Sequence, residues 1–424
     1  MLIGEFAQAP RYQGAGSSHI NVPFVTGALE EARRKGLPVT FALGYRSREE
    51  GTDQALLAEA VAKAKEAQAA VIFAGLPDAY ETEGSDRESM KLPDNQNRLI
   101  EAVTAVQPNT VVVLHGGAPM ELPWLSRAAA VLCMYLGGQK VGEAALKLLY
   151  GDENPSGKLA ETWPVRLEDN PSYLNFPGEN GVVEYHERIY MGYRYYDKKK
   201  LSVLFPFGHG LSYTSFAYSA LTLDRQAMTD QEKLMVTCRV KNTGEFPGRE
   251  AVQLYVRDEE SSVGRPVREL KGFTKVELMP GEEKEVSFEL DKRSFAYYEP
   301  RIHDWYVESG TFLVEIGASS RDIRLQAQVQ VDSTEELPIT YTYDSIIGDL
   351  TKSAEGRAFL QQMMQQLSGE PGRESAAEES RKNMGEGSDT AAQSMMFEMP
   401  LRSLVTFGKI TKVQLDDLLA RLNG

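Results

Sequence analysis

Five times within the first 160 or so residues a short apolar run is followed by an amphipathic segment, and no other feature restricts the fold as tightly. The pairs are Leu2-Ile3-Gly4 with Ala28 to Lys35, Val39 to Leu43 with Gln54 to Ala67, and Ala69 to Leu76 with Asn95 to Val106. Thr110 to Leu114 with Glu121 to Arg127 and Ala130 to Leu136 with Val141 to Tyr150 complete the series. Strands that are apolar on both faces must be covered on both, so the pattern predicts a doubly wound, mostly parallel α/β sheet between helical layers. Loops leaving the C-terminal ends of such strands gather at one edge, where ligands bind. The loop 11–18 after the first run and the charged stretch ETEGSDRESMKLP (81–93) after the third both reach that edge.

The rest of the chain divides by pattern into three more segments after the α/β domain of residues 1–160. Residues 161–215, rich in aromatics and proline, are expected to form an ordered extended connector, with Tyr190, Tyr193, Tyr195 and Tyr196 packing it against its neighbours. Residues 216–332 alternate short strands with turn signals and predict an all-β sandwich. Residues 333–424 form a helical C-terminal extension. Its stretch 368–394 has too few large apolar side chains to offset chain entropy and is expected to be mobile. The last helical pattern, Lys412 to Leu422, lines up Leu415, Leu418, Leu419 and Leu422 and calls for a surface to dock against.

Charge narrows the partners. With 46 basic against 61 acidic residues the formal charge is −15, which excludes a phosphate backbone as the natural ligand. No apolar run reaches the roughly 18 residues of a membrane span, and the start MLIGEFAQAP lacks a secretory pattern. The two cysteines, Cys133 and Cys238, form neither a disulfide framework nor a thiolate metal site, and the expectation is a reducing, cytoplasmic setting.

Several chemistries drop out. Gly14-Ala15-Gly16 lacks the third glycine of a dinucleotide loop, no phosphate-binding G-x-x-x-x-G-K-[ST] loop occurs, and no serine stands in a G-x-S-x-G elbow. Histidines 19, 115, 186, 209 and 303 show no metal-ligand spacing and read as core or loop residues. No cofactor is called for. What remains is a loop offering Glu81, Glu83, Asp86 and Arg87 at the ligand edge. Such a loop can hold one carboxyl group beside a cation and another in a drier place, the arrangement that leaves one of the two protonated as a general acid. The plain alternative is a solvated surface loop.

Read together, Arg11 to Ser18, Glu83-Gly84-Ser85-Asp86-Arg87, Leu92 to Gln96, Asn154 to Leu159 and Phe205 to Thr214 resemble the C-terminal half of family 3 glycoside hydrolases. Arg265 to Phe273 and, more loosely, Gly317 to Arg324 continue the likeness, and the bacterial β-glucosidase branch is the nearest match. The resemblance implies an α/β sandwich domain followed by a fibronectin type III-like domain, acting on a β-linked glucoside or related oligosaccharide. It implies Glu83 as the general acid/base of a retaining, exo-acting mechanism, with loop 11–18 bordering the same pocket. Asp86, Arg87, Gln13 and Ser17 are the substrate-binding candidates: Asp86 and Arg87 are expected to set the loop by an ion pair, Gln13 and Ser17 to reach a leaving-group sugar.

A retaining glycosidase needs a second carboxylate about 5 to 5.5 Å from the first as its nucleophile. In the family that aspartate lies on a (β/α)8 barrel preceding the region matched here. The chain is therefore expected to be inactive alone: either it is a fragment of a longer enzyme, or it is a subunit that completes a site with a separate barrel chain. The side of the α/β domain that the barrel would cover is expected to be sticky without it, so a partner chain or a homo-oligomer is expected. The alternative is a non-catalytic carbohydrate- or protein-interaction module derived from such an enzyme.

Overall fold

The computed structural model describes residues 1–49, 51–368 and 395–424. Strand β1 (Leu2–Ile3) leads through a short helix, α1 (Glu5–Gln8), to α2 (Ala28–Arg34); β2 (Phe41–Ala42) precedes α3 (Gln54–Glu66) and β3 (Ala70–Gly75) precedes α4 (Asp94–Val106). Strand β4 (Thr110–His115) is followed by one 3-10 turn at Leu125–Arg127, and β5 (Ala130–Tyr135) by α5 (Val141–Leu149). The helix expected over Glu121 to Arg127 is thus only a turn. Pro119 and Pro123 punctuate that crossover, and a residue without an N–H cannot continue a helical ladder.

All five strands are parallel, in the order β2-β1-β3-β4-β5. Period-two alternation in the central strands feeds two cores. Ile72, Val112 and Leu114 pack with Ala60 and Ala64 of α3 and Leu99, Ile100 and Val103 of α4. Phe73 and Val113 pack with Leu29 and Ala32 of α2 and Ala145 and Leu146 of α5. Strand β5 departs from two-sided burial: it is one of the sheet's two edges and stays partly exposed along its length. The chain moves outward from β1 to β2 and then crosses back over β1 to β3. The topological switch therefore lies between β1 and β3, and the loops after those two strands open the crevice where such sheets hold ligands.

In the connector, β6 (Trp163–Pro164) pairs antiparallel with β7 (Val203–Phe205), and α6 (Tyr193–Lys198) lies between them in the chain. Tyr193 stacks on Phe207 at 4.9 Å and meets Tyr255 edge-on, while Tyr196 is buried, so these two rings do the packing expected of them. The sandwich strands are β8 (Phe216–Leu223), β9 (Ala227–Thr229), β10 (Leu234–Asn242), β11 (Gly248–Asp258), β12 (Glu269–Leu278), β13 (Glu283–Leu290), β14 (Gly310–Ser319) and β15 (Asp322–Asp332). They form sheets ordered β13-β10-β8 and β12-β11-β14-β15-β9 around Val236, Cys238, Val240, Val252, Leu254, Val314 and Ile316. One pairing departs from the antiparallel pattern: β9 runs parallel to β15.

Among the described residues, a second compact unit comprises residues 298–304, 335–368 and 395–424. Helices α7 (Ala354–Ser368), α8 (Arg402–Thr406) and α9 (Lys412–Asn423) gather Leu360, Met363, Leu404, Leu415, Leu418 and Leu419 with Ile347 and Leu350 into one core. A reciprocal cap between Thr411 and Gln414 starts α9. The leucine face of the last helix is therefore covered within its own unit and does not wait for an outside partner. Of the stretch expected to be mobile, residues 369–394 lie outside the described residues.

Candidate active site

Strand β3 ends at Gly75, whose φ of +148° and closeness to His115 leave no space for a side chain. Beyond it Leu76, Pro77 and a turn at Asp78–Tyr80 deliver the chain to the charged loop. There Glu81 turns inward. Its Oε2 accepts from Arg11 Nη1 at 2.6 Å and from the Gly117 N–H at 2.7 Å, and its Oε1 faces Arg87 Nη1 at 3.5 Å. Arg11, with only 4% of its side chain exposed, also donates to the Leu76 and Glu81 carbonyls at 2.9 Å each and pairs with Asp78 at 3.2 Å. Arg87 donates to the carbonyls of Ser89 and Pro119, both at 3.1 Å. One carboxylate thus ties together the loops after β1, β3 and β4.

Two residues on, the geometry reverses. Thr82 pairs with Ala15 and with Ser85, so Glu83 stands at the tip of a four-residue turn in which Gly84 takes φ +81°. Its side chain projects into solvent on the side of loop 11–18. The Ser17 N–H donates to Glu83 Oε2 at 2.6 Å, the Ser17 hydroxyl donates to the same oxygen, and the Glu83 N–H reaches the Ala15 carbonyl at 3.4 Å. This approach requires glycine at position 16: its φ is +93°, and a Cβ there would lie 2.4 Å from that of Glu83. The two hydrogen bonds from Ser17 hold the Glu83 carboxyl below its ordinary range, against a small opposing effect of burial.

The remaining predicted residues divide. Ser17 is brought to Glu83. Gln13 is engaged within its own loop, donating to the Tyr12 hydroxyl at 2.9 Å and exchanging hydrogen bonds with the Ile20 backbone. Asp86 is exposed and does not pair with Arg87, which takes Glu81 instead; the expected Asp86–Arg87 ion pair is replaced because Glu81 lies deeper and Asp86 faces water. The drier carboxyl is Glu161, at the start of the connector, raised by burial and reached by the Tyr135 hydroxyl at 3.3 Å. Sequence reasoning missed Glu161 and the clamping role of Arg11, although Arg11 is an isolated charge between Pro10 and a glycine-rich stretch. His115 is a core residue, stacked near Phe73 and edge-on to Phe6, with burial lowering its pKa to about 4. Among the described residues no cluster of histidine, cysteine and carboxylate side chains is arranged to hold a metal ion.

Residues 1–213 match the family described as the glycosyl hydrolase family 3 C-terminal domain, and residues 250–320 match the fibronectin type III-like domain. The chain belongs to glycoside hydrolase family 3. The whole chain is 48% identical over 428 residues to thermostable beta-glucosidase B of Acetivibrio thermocellus, of which it spans 55%. Over 78% of its length it is 43% identical to an exo-alpha-(1->6)-L-arabinopyranosidase of Bifidobacterium longum, of which it spans 44%. Among solved structures it superposes on a family 3 beta-glucosidase of Bifidobacterium adolescentis with a TM-score of 0.79 at 42% identity, covering 85% of this chain and 52% of that one. A beta-glucosidase of Kluyveromyces marxianus in complex with glucose follows at 0.74 and 29% identity, covering 78% and 58%. The chain thus spans about half the length of the family 3 relatives it matches.

Proposed function

We propose that this chain is the acid/base-bearing part of a retaining, exo-acting β-glycosidase of the β-glucosidase type, with Glu83 as the proton donor. One observation carries the reading: Glu83 is the carboxylate at the switch-point crevice that is anchored on one side only, by Ser17, with its other side open. Glu81 is ruled out of that role by its own partners, since two guanidinium groups and a backbone N–H occupy it. A retaining mechanism sets the nucleophilic carboxylate about 5 to 5.5 Å from the acid. We assign the nucleophile to a segment outside these 424 residues. Its negative charge and the removal of water would raise the Glu83 carboxyl from its present low value and let it donate to the glycosidic oxygen. The same group then takes the proton of the attacking water.

Apolar side chains along 173–191 support a large partner surface: Leu174 is 92% exposed and Tyr185 73%, with Val182 and Met191 also open. The partner we propose is the nucleophile-bearing segment, as a separate chain or as part of a longer one; a second copy of this chain is the competing occupant. The same surface also favours a second reading, a module that binds a protein or a sugar without catalysis. Two free cysteines, both with thiols raised to about 11 by burial, support our assignment to the reducing cytoplasm.

The test pairs this chain with the N-terminal remainder of the Acetivibrio thermocellus relative and follows hydrolysis of an aryl β-glucoside. General acid–base catalysis contributes about 10² to 10⁴ in rate, so Glu83→Ala should lose that much with an unactivated leaving group, and added azide should restore part of it. Equal rates for the two proteins would remove Glu83 from the role. Association without any turnover would favour the binding module.

A further inference from the structure

On the connector side of Arg87 lies a cavity of about 350 Å³ to which nothing above assigns a purpose. Arg87, Glu161, Thr162, Asn170, Glu187 and Tyr196 supply its polar walls. Several of these groups lack the partners that buried polar groups almost always have. Thr162 is 6% exposed, and among the described residues its hydroxyl has no hydrogen-bond partner; Arg87 Nη2 is likewise buried and has none among them. Tyr196 is 3% exposed as a residue; its hydroxyl makes no hydrogen bond among the described residues and keeps access to solvent. Among the described residues the Glu161 carboxyl is hydrogen-bonded only by the Tyr135 hydroxyl, at 3.3 Å.

The wall selects a chemical class. A carboxylate or phosphate entering the cavity would meet Glu161 and Glu187, and an ammonium would meet Arg87. Hydroxyl groups both donate and accept, so a neutral polyol satisfies the guanidinium and the carboxylates together. The volume sits at the low end of the roughly 300–1,000 Å³ of small-molecule sites, enough for one sugar ring and not for a chain of them. We propose that this cavity binds a single neutral monosaccharide through Arg87, Glu161, Thr162 and Tyr196. Arg87 also links the cavity to the loop above it, through Glu81 at 3.5 Å and the Pro119 carbonyl at 3.1 Å.

The experiment titrates the 424-residue chain with D-glucose and with methyl β-D-glucoside, read by thermal shift and calorimetry. Saturable binding is expected, with D-glucuronate at least tenfold weaker. Thr162→Val keeps the shape and deletes an unpartnered hydroxyl: the free protein should melt no lower than the parent, yet its affinity for glucose should fall about tenfold, the loss of one hydrogen bond. Glu161→Gln should weaken binding similarly, and Glu83→Ala should leave it unchanged, which separates this site from the proposed proton donor. No saturable binding, meaning a cavity that holds ordered water only, would overturn the proposal. Unaltered binding in both wall variants, or binding lost with Glu83→Ala, would overturn it as well.

Discussion

Glu81 and Glu83 are two residues apart on one loop, and the fold treats them as opposites. Glu81, with 12% of its side chain exposed, is enclosed by Arg11, Arg87 and the Gly117 N–H; Glu83, at the tip of the next turn, is open to water, and among the described residues its carboxylate is hydrogen-bonded by Ser17 alone. The difference shows how a charged loop earns its place at a sheet edge. One carboxylate holds three loops together, and that fixed frame lets the other stand free at a defined position. A loop with two solvated glutamates would be mobile, and one with two clamped glutamates would have nothing to offer a ligand.

The largest effect should come from breaking the clamp. Glu81→Ala leaves the Arg11 guanidinium, 4% exposed in the parent, with only the exposed Asp78 as a carboxylate neighbour at 3.2 Å, and a loop built around an absent anion. Removing one partner of a buried pair costs about 3–5 kcal/mol, because the other charge remains buried. Denaturant unfolding of the chain should register a loss of that order for Glu81→Ala and little or no change for Glu83→Ala, as for a surface substitution. Similar losses for the two variants would erase the contrast between them.

How far this contrast was visible beforehand depends on the range of the interactions. The run Ala69 to Leu76 and the segment Asn95 to Val106 announce β3 and α4 because side-chain periodicity is local, and the position of Glu83 after the third strand follows from the same pattern. The Arg11–Glu81 pair joins residues 70 apart, and no local rule couples them. Glu161 escaped notice for the same reason: a lone glutamate in Lys158-Leu159-Ala160-Glu161-Thr162 reads as surface until the fold lays Tyr135 beside it. The last helix illustrates the converse. Its leucine face is plain in the sequence, but only the assembled unit reveals that Ile347, Leu350 and Leu360 already cover it.

A middle-sized effect should follow from prying the two rims apart. Gly16→Ala places a methyl group only 2.4 Å from the Glu83 Cβ, at a backbone φ of +93° that disfavours any side chain. A strained residue of this kind costs about 1–3 kcal/mol unless the loop moves. If it moves, Glu83 loses Ser17, and its carboxyl should titrate higher. Unfolding and carboxyl NMR together distinguish the two, and a variant that changes neither would show that the rims do not meet.

The smallest effect isolates the bond itself. Ser17→Ala removes the hydroxyl that contributes most to lowering the Glu83 carboxyl and retains the N–H that contributes next. The Glu83 titration should therefore rise part of the way toward its ordinary value of 4.5, and the titration of groups distant from the rim should stay in place. The sign of the accompanying stability change follows from linkage. A group whose folded pKa is depressed stabilises the fold above its unfolded pKa, and that contribution is lost as pH falls through the folded value. Parent and variant should thus differ at neutral pH and converge in acid below the Glu83 titration, with the parent the more stable of the two where they differ. An identical Glu83 titration in both proteins, followed by carboxyl NMR, would mean that Ser17 does not hold the carboxylate, and the open side of Glu83 would no longer be its distinguishing feature.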